Sequence, residues 1–128
     1  MPIDVRWLES RILLFKLHPP FTSKALSQAL DDSIEMVNAI PDQPVGTVLD
    51  VKGLINVPPG ALQQGRKLSR VNRANVGPVV LIRAHPIVRG FTRIARTVYP
   101  PTGDLIHFAD SQERGVLLLR NILNIDAG

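Results

Sequence analysis

The chain has 128 residues and a mass of 14.1 kDa, which fits a single domain spanning residues 1–128 and excludes two full domains. It contains no cysteine, which excludes disulfides, thiolate nucleophiles and cysteine-ligated metal sites, and its 45% hydrophobic content excludes a disordered chain. The net charge of +4 is uneven, because residues 51–103 hold nine Lys and Arg residues but no Asp or Glu.

The N-terminal part of the sequence predicts a hairpin followed by a helix. Val5 to Trp7 and Ile12 to Leu17 are short runs that favour β-strands. Pro19-Pro20 ends the second strand, and Thr22 or Ser23 is expected to cap the first helix. The helix is indicated by apolar residues spaced three and four apart: Leu26, Ala29, Leu30, Ile34, Val37 and Ile40.

The middle of the chain predicts a buried strand and a second helix. Thr47 to Val51 is almost continuously apolar, as is typical of a strand covered on both faces. Pro58-Pro59-Gly60 then opens a helix that we expect to reach about Asn75 and to end at Gly77. Its inward stripe would consist of Ala61, Gly65, Leu68 and Val71.

The C-terminal part repeats the alternation of strand and helix. Val79 to Ile82 and Leu105 to Phe108 are predicted strands. His85-Pro86 opens a third helix that ends before Pro100-Pro101, and Asp110-Ser111-Gln112-Glu113 resembles a capping box for a last helix reaching Leu123. The inward residues of the third helix would be Ile87, Phe91, Ile94, Ala95 and Val98.

The predicted order of elements is therefore ββαβαβαβα. Strands separated by single helices are parallel and joined by right-handed crossovers. The sequence thus predicts an α/β domain with a mixed sheet of about five strands and packed helices. In such sheets ligands and partners meet the carboxyl ends of the strands, where helices begin.

This order of elements in a short chain, together with the run LDVKGLINV from Leu49 to Val57, resembles the STAS domain family and especially its SpoIIAA-like branch. The run looks like the family's strand-and-loop pattern, an apolar strand that ends in Asp before a small turn and a helix. The resemblance covers nearly the whole chain and implies a regulatory, anti-sigma-factor-antagonist-like module that binds a protein partner without catalysis. Phosphorylatable members continue with Asp-Ser-Ser/Thr-Gly. This chain has Pro58-Pro59-Gly60-Ala61 there, so we expect no phosphorylation at that position.

The candidate partner surface lies where the predicted strands end and the helices begin. Three such junctions carry polar residues, and Asp110 with Ser111 forms the last of them. The alternative interpretation is that the prolines are ordinary first-turn residues and that Ser111 is an ordinary cap. The residues predicted to bind a partner are Asp50, Lys52, Pro58, Pro59, Gly60, Arg66, Arg70, His85 and Arg89.

Two arginine triplets suggest a second function, the binding of nucleic acid or anionic lipid. Each triplet has spacing i, i+4 and i+7, which places it on one face of a helix. The alternative is that acids of the first helix, Asp31, Asp32 and Glu35, neutralise these faces. The triplets are Arg66, Arg70 and Arg73, and Arg89, Arg93 and Arg96.

Other functions have weaker support. His18, His85 and His107 lie on different elements without paired ligand spacing, so we expect no metal site and no cofactor. A hydrolase would need His85 with Asp110 and Ser111, but Ser111 lacks the usual nucleophile turn, and we expect no enzyme. The edge of the hairpin has two interpretations: it pairs with a second copy to form a homodimer, or Arg11 and Lys16 protect it from such pairing.

Overall fold

The structure, a computed structural model, describes residues 2–56, 60–98 and 105–125, except for the side chains of residues 62, 91 and 94–98. Within these ranges the chain forms an α/β domain in the predicted order ββαβαβαβα. The elements are β1 (Ile3–Glu9), β2 (Ile12–Leu17), α1 (Ser23–Asn38), β3 (Gly46–Asp50), α2 (Ala61–Gly65), β4 (Val79–Ile82), α3 (Pro86–Val98), β5 (Ile106–Ala109) and α4 (Gln112–Leu123).

The five strands form one mixed sheet, as predicted. Their spatial order is β1-β2-β3-β4-β5, with β1 antiparallel to β2 and every other neighbouring pair parallel. Leu14, Val48 and Val80 lie side by side in register across the three central strands. From β2 to β5, each parallel strand lies beside the one before it, always on the same side. Because the crossovers are right-handed, the helices that connect these strands lie on one face of the sheet.

The hydrophobic core lies on both faces of the sheet. Successive residues of β2 point to opposite sides, so Phe15 packs with the α1 and α3 residues Leu26 and Val88, whereas Leu14 packs with Leu119 of α4. Removing this apolar surface from water supplies the main driving force for folding. The sheet therefore sits between α1 and α3 on one side and α4 on the other.

Side-chain caps begin the first and last helices. The Thr22 hydroxyl accepts a hydrogen bond from the Ala25 N–H at 3.0 Å, which confirms the first of the two predicted caps. The Ser111 hydroxyl accepts from the Arg114 N–H at 3.2 Å. The cap of α4 is therefore Ser111 alone, and the predicted capping box from Asp110 to Glu113 is wrong by one residue.

The predicted second helix from residue 58 to about Asn75 is wrong. The α-helix covers only Ala61–Gly65, and two short 3-10 segments follow, Arg66–Arg70 and Arg73–Asn75. Leu68, predicted to face inward, is 49% exposed. Pro58 and Pro59 lie outside the described residues.

Contacts with other elements explain why the helix does not continue. Lys67 Nζ donates to Asp31 on α1 at 2.9 Å, and the Asn38 amide oxygen accepts the Asn72 N–H at 2.7 Å. Buried Asn75 donates to the carbonyls of Ile40 and Gln43 at 2.8 and 2.9 Å. These hydrogen bonds give polar backbone and side-chain groups of residues 67–75 partners on other segments, so the groups do not need the hydrogen bonds of a continuous helix. Long-range hydrogen bonds therefore override the local helical pattern.

The third helix follows its prediction in extent but not in every inward residue. Val88 and Thr92 are buried, whereas Ile87, predicted to face inward, is 50% exposed. Ile87 lies in the first turn of α3, directly before the buried Val88. The side chains of the other predicted inward residues, Phe91, Ile94, Ala95 and Val98, lie outside the described part of the structure.

An ion pair between Glu9 and Arg120 ties α4 to the end of β1. Arg120 Nε donates to Glu9 Oε2 at 3.1 Å, and Arg120 Nη2 donates to Oε1. This hydrogen bonding lowers the pKa of Glu9 below its usual range. The contact closes a loop of more than a hundred residues and fixes α4 across the sheet.

Glu9→Gln is therefore expected to be less stable than the wild type near neutral pH. A carboxyl with a lowered folded-state pKa stabilises the fold above its ordinary value of about 4.3, and that stabilisation is lost as the pH falls through the lowered value. Thermal unfolding of both proteins between pH 7 and pH 3 checks this. The difference in Tm should shrink toward acid, and a difference that is constant with pH would contradict it.

Candidate functional site

The candidate site is the edge of the sheet where the four parallel strands end. Parallel register places Asp50, Ile82 and Ala109 side by side at this edge. The loops that leave β3 and β4 there lead into α2 and α3. This is the predicted location for ligand or partner binding in a parallel sheet.

Asp50 is buried at this edge and binds both neighbouring loops. Its side chain is 1% exposed. Oδ1 accepts the Lys52 N–H at 3.1 Å, and Oδ2 accepts from Arg83 Nη2 at 2.7 Å. Both carboxylate oxygens are thus occupied by the protein itself. That Asp50 takes part in partner binding stays a prediction, and in the structure its buried side chain holds the two loops in place.

Arg83 belongs to this site although the sequence analysis did not predict it. It follows β4 directly, with the left-handed backbone φ of 58°, and its side chain is 36% exposed. Left-handed φ is unfavourable for a residue with a Cβ, so surrounding contacts hold it in place. The bond to Asp50 is such a contact. No sequence pattern marks this conformation, since glycine and asparagine are the residues that usually adopt it.

An open groove of about 390 Å³ lies beside Asp50. It runs between the end of β2 and the turn after β3, and His18 on its wall lies 3.1 Å from the Asp4 carboxylate, measured from Nε2 to Oδ2. Of the residues predicted to bind a partner, it contains Asp50 and Lys52. The groove is lined by Lys16, Leu17, His18, Pro19, Asp50, Lys52 and Gly53.

His85 is exposed and directly precedes α3. Its Nδ1 accepts the Ile87 N–H at 3.2 Å, and its carbonyl accepts the Arg89 N–H at 3.0 Å. A catalytic histidine whose carboxylate partner accepts from Nδ1 needs a proton on that nitrogen. Here Nδ1 is an acceptor, and the Ser111 hydroxyl accepts the Arg114 N–H as a cap. The arrangement therefore favours structural capping at both residues.

Arg89 is fixed against β5. Its guanidinium carbon lies 4.8 Å from the centre of the Phe108 ring, and Nε donates to the Ala84 carbonyl at 3.4 Å. A cation over an aromatic face is attracted by the ring quadrupole. Arg89 is nevertheless exposed, so its charge borders the start of α3 next to His85.

The first arginine triplet does not form one helical face. Arg66 and Arg70 lie in the first 3-10 segment and Arg73 in the second, with extended backbone at Val71 between them. Arg70 Nη1 lies 3.5 Å from the Asp31 carboxylate of α1. One acid of the first helix thus lies beside one arginine of this cluster, and the binding of anions by the cluster stays a prediction.

The second triplet lies on one α-helix. Arg89 and Arg93 are both exposed and one turn apart on α3, and the side chain of Arg96 lies outside the described part of the structure.

Gly60, the remaining residue predicted to bind a partner, precedes α2 with a left-handed φ of 75°. Its conformation makes glycine the favoured residue there.

Two exposed apolar side chains flank the same edge of the sheet. Ile55 follows β3 and is 64% exposed, and Ile87 begins α3 after β4. Fully burying an isoleucine contributes about 1.5–3 kcal/mol, so both are suited to contact with another molecule. The sequence did not single out these residues as exposed, because their burial depends on which elements pack over them.

The described part of the chain offers neither a membrane-spanning helix nor a cluster of metal ligands. None of the described helices is long and apolar enough to cross a membrane. Among the described residues, no group of three or more His, Asp and Glu side chains is placed to hold a metal ion.

Comparison with solved structures decides the fold. The anti-sigma factor antagonist SpoIIAA in its unphosphorylated form superposes with a TM-score of 0.70 and 15% sequence identity, covering 95% of this chain and 99% of that one. The chain has the SpoIIAA-like fold. This confirms the expected fold, although no family model and no curated protein matches the sequence.

Two further structures share the SpoIIAA-like fold. RsbS from Moorella thermoacetica, in a variant with glutamate in place of a serine, has a TM-score of 0.67 and 15% identity and covers 98% of this chain and 100% of that one. An uncharacterized protein of the DUF3478 family from Shewanella loihica PV-4, with a SpoIIAA-like fold, has a TM-score of 0.65, 18% identity and 91% coverage of both chains.

Proposed function

We propose that this protein is a non-catalytic regulatory module that binds a protein partner in the manner of anti-sigma factor antagonists. The observation that carries the proposal is the edge of the sheet at the ends of β3 and β4. There the Asp50–Arg83 bond joins the segments that follow β3 and β4, and exposed apolar and cationic side chains lie on these segments and on the first turn of α3. The similarity to SpoIIAA along nearly the whole chain supports this function.

The chemistry of this edge fits a protein partner with an acidic surface. Ile55 and Ile87 offer apolar area, and Lys52, His85 and Arg89 are exposed polar residues of the same segments of the chain. An apolar centre with a charged rim is the usual composition of a protein interface. Basic rim residues steer an acidic partner and fix its orientation. Residues 51–103 contain no Asp or Glu, which also favours an acidic partner.

We further propose that the module works in the cytoplasm and is not regulated by phosphorylation at the usual position. One of the similar structures is that of SpoIIAA in its unphosphorylated form, and another is that of an RsbS variant in which glutamate replaces a serine. The present chain has Pro58-Pro59-Gly60-Ala61 at the corresponding place in its sequence, where no hydroxyl is available. Regulation would then depend on the amount or affinity of the partner.

Replacing both Ile55 and Ile87 by serine is expected to reduce partner binding at least about tenfold, because apolar side chains at the centre of an interface dominate its affinity. The measurement is capture of partners from a lysate of the protein's own cells, quantified by mass spectrometry. The matched control replaces Leu117 and Ile122, exposed apolar residues of α4, by serine. The same spectra report any phosphorylated residue of the captured protein.

Three outcomes decide the proposal. A discrete protein retained by the wild type and the α4 control, but lost by the Ile55/Ile87 variant, supports it. Equal capture by all three proteins contradicts the assignment of this surface. Capture that disappears with nuclease, or that falls steeply with salt, would instead favour the anion-binding function of the arginine residues.

A further inference from the structure

The outer edge of β1 carries backbone groups that no described strand pairs. The His18 N–H donates to the Pro2 carbonyl at 2.7 Å, and Asp4 pairs with Lys16 and Arg6 with Leu14 in the same register. Hydrogen-bonded pairs alternate along an antiparallel ladder, so the even-numbered residues of β1 bond to β2. The N–H and C=O groups of Ile3, Val5 and Trp7 therefore point away from the sheet. Among the described residues no strand covers this edge.

We infer that this edge pairs with the β1 edge of a second copy of the chain, in an antiparallel register centred on Val5 and set by Asp4 and Arg6. In this register Val5 exchanges hydrogen bonds with Val5 of the second copy. Asp4 of each copy then lies opposite Arg6 of the other. The pairing is isologous, so the favourable contact between opposite charges occurs twice.

The two neighbouring registers are disfavoured by charge. The outward groups belong to odd-numbered residues, so the register can shift only in steps that keep odd residues opposite odd residues. Centring the pair on residue 4 places Asp4 opposite Asp4, and centring it on residue 6 places Arg6 opposite Arg6. Like charges directly opposite each other on neighbouring strands are destabilising. The charge pattern of β1 thus selects one symmetric register.

Apolar contacts accompany the charge pairs on the other face of the sheet. Ile3, Val5 and Trp7 alternate with the charged residues and pack on the core cluster beside α1, yet all three remain partly exposed. The Val5-centred register places Ile3 opposite Trp7 of the second copy. Pairs of aromatic and β-branched residues across neighbouring strands are stabilising. Both faces therefore favour the same alignment.

The dimer leaves the candidate partner surface free. β1 is the edge strand farthest from β4 and β5, whereas the partner surface lies at the ends of β3 and β4. Since the two β1 strands are antiparallel, the partner surfaces of the two copies lie at opposite ends of the continuous sheet. This inference is thus independent of the proposed function, and either can fail alone.

The test combines two charge reversals, Asp4→Lys and Arg6→Glu. Each alone creates like-charge contacts in the symmetric dimer, and we expect each to weaken self-association at least about tenfold. A mixture of the two variants restores both opposite-charge contacts, so it should associate as tightly as the wild type. Sedimentation equilibrium between about 1 and 300 μM measures each association constant. Arg114→Glu, on the exposed surface of α4, is the control.

Association that is recovered only in the mixture establishes the register, because misfolding of either variant cannot be repaired by mixing. Val5→Pro provides a second variant, since it removes the outward N–H of Val5 without removing a hydrogen bond to β2. It should be monomeric with an unchanged β-sheet signal in circular dichroism. A wild type that stays monomeric at about 300 μM, or a mixture that associates no better than the single variants, would overturn the inference.

Discussion

Arg83→Met is expected to lower the free energy of unfolding by about 3 kcal/mol, because it leaves the Asp50 carboxylate buried without its cationic partner. Asp50 is 1% exposed and would keep a single hydrogen bond, from the Lys52 N–H. Methionine preserves much of the length and apolar volume of the arginine stem. It also faces the same left-handed backbone conformation, so the change isolates the loss of the charge.

Asp50→Asn should lower the free energy of unfolding less than Arg83→Met does. In Asp50→Asn the side-chain oxygen can still accept the Lys52 N–H, and Arg83, with a side chain that is 36% exposed, can reach solvent. Adding Arg83→Met to Asp50→Asn should therefore cost much less than Arg83→Met alone. Chemical denaturation of the four proteins in a double-mutant cycle measures this coupling.

A matched control is Arg114→Met. Arg114 lies 4.0 Å from Asp110 on the surface, with both side chains more than 70% exposed. Exposed pairs contribute about 0–1 kcal/mol, so this replacement should have little effect. If Arg83→Met were no more damaging than Arg114→Met, Asp50 and Arg83 would not form the structural centre of the site.

The Asp50–Arg83 pair also links stability to the proposed function. Asp50 orders the turn after β3 through Lys52, and Arg83 orders the segment before α3. Ile55 lies on the first of these segments, and Ile87 lies in the first turn of α3, directly after the second. A partner that binds both loops benefits when they are already held together, because less conformational entropy is lost on binding. The pair thus preorganises the surface that carries Ile55 and Ile87.

The sequence predicted the sheet well because its strands are determined by local composition and by the alternation of burial. The runs around Leu14, Val48 and Val80 are short, apolar and bounded by polar or turn-forming residues. Thr22 and Ser111 were recognisable as caps for an equally local reason, since a hydroxyl before a helical stripe satisfies a free N–H of the first turn. These features need no knowledge of distant contacts.

The segment after Gly60 could not be predicted in the same way. Its helical stripe was thin, and its actual course depends on Asp31, Asn38 and the loop after α1, which are distant in sequence. The candidate site was likewise predicted only in part. Asp50 was recognised at the end of its strand, but its burial and its bond to Arg83 depend on two loops that meet only in the folded protein.

Gly77→Ala is expected to destabilise the protein by about 3 kcal/mol or more, because a side chain there would collide with the backbone. A Cβ atom at residue 77 would clash with the Val45 carbonyl oxygen and would lie 2.8 Å from the Val45 carbonyl carbon. The backbone has little room to move, since two hydrogen bonds join these segments. The Val45 N–H donates to the Asn75 carbonyl at 3.1 Å, and the Thr47 N–H donates to the Pro78 carbonyl at 3.0 Å.

The sequence predicted Gly77 as the end of a helix, whereas its contacts give it a different role. It lets the segment before β4 approach the segment before β3 closely enough for the two strands to enter the sheet in register. Gly65→Ala is the control, because a Cβ there meets no atom within 4 Å and alanine favours helix by up to about 1 kcal/mol. Thermal and chemical unfolding should therefore shift in opposite directions for the two variants. Equal stability of Gly77→Ala and the wild type would mean that the two segments separate without cost, and the close approach at Val45 would then not be what sets the register of β3 and β4.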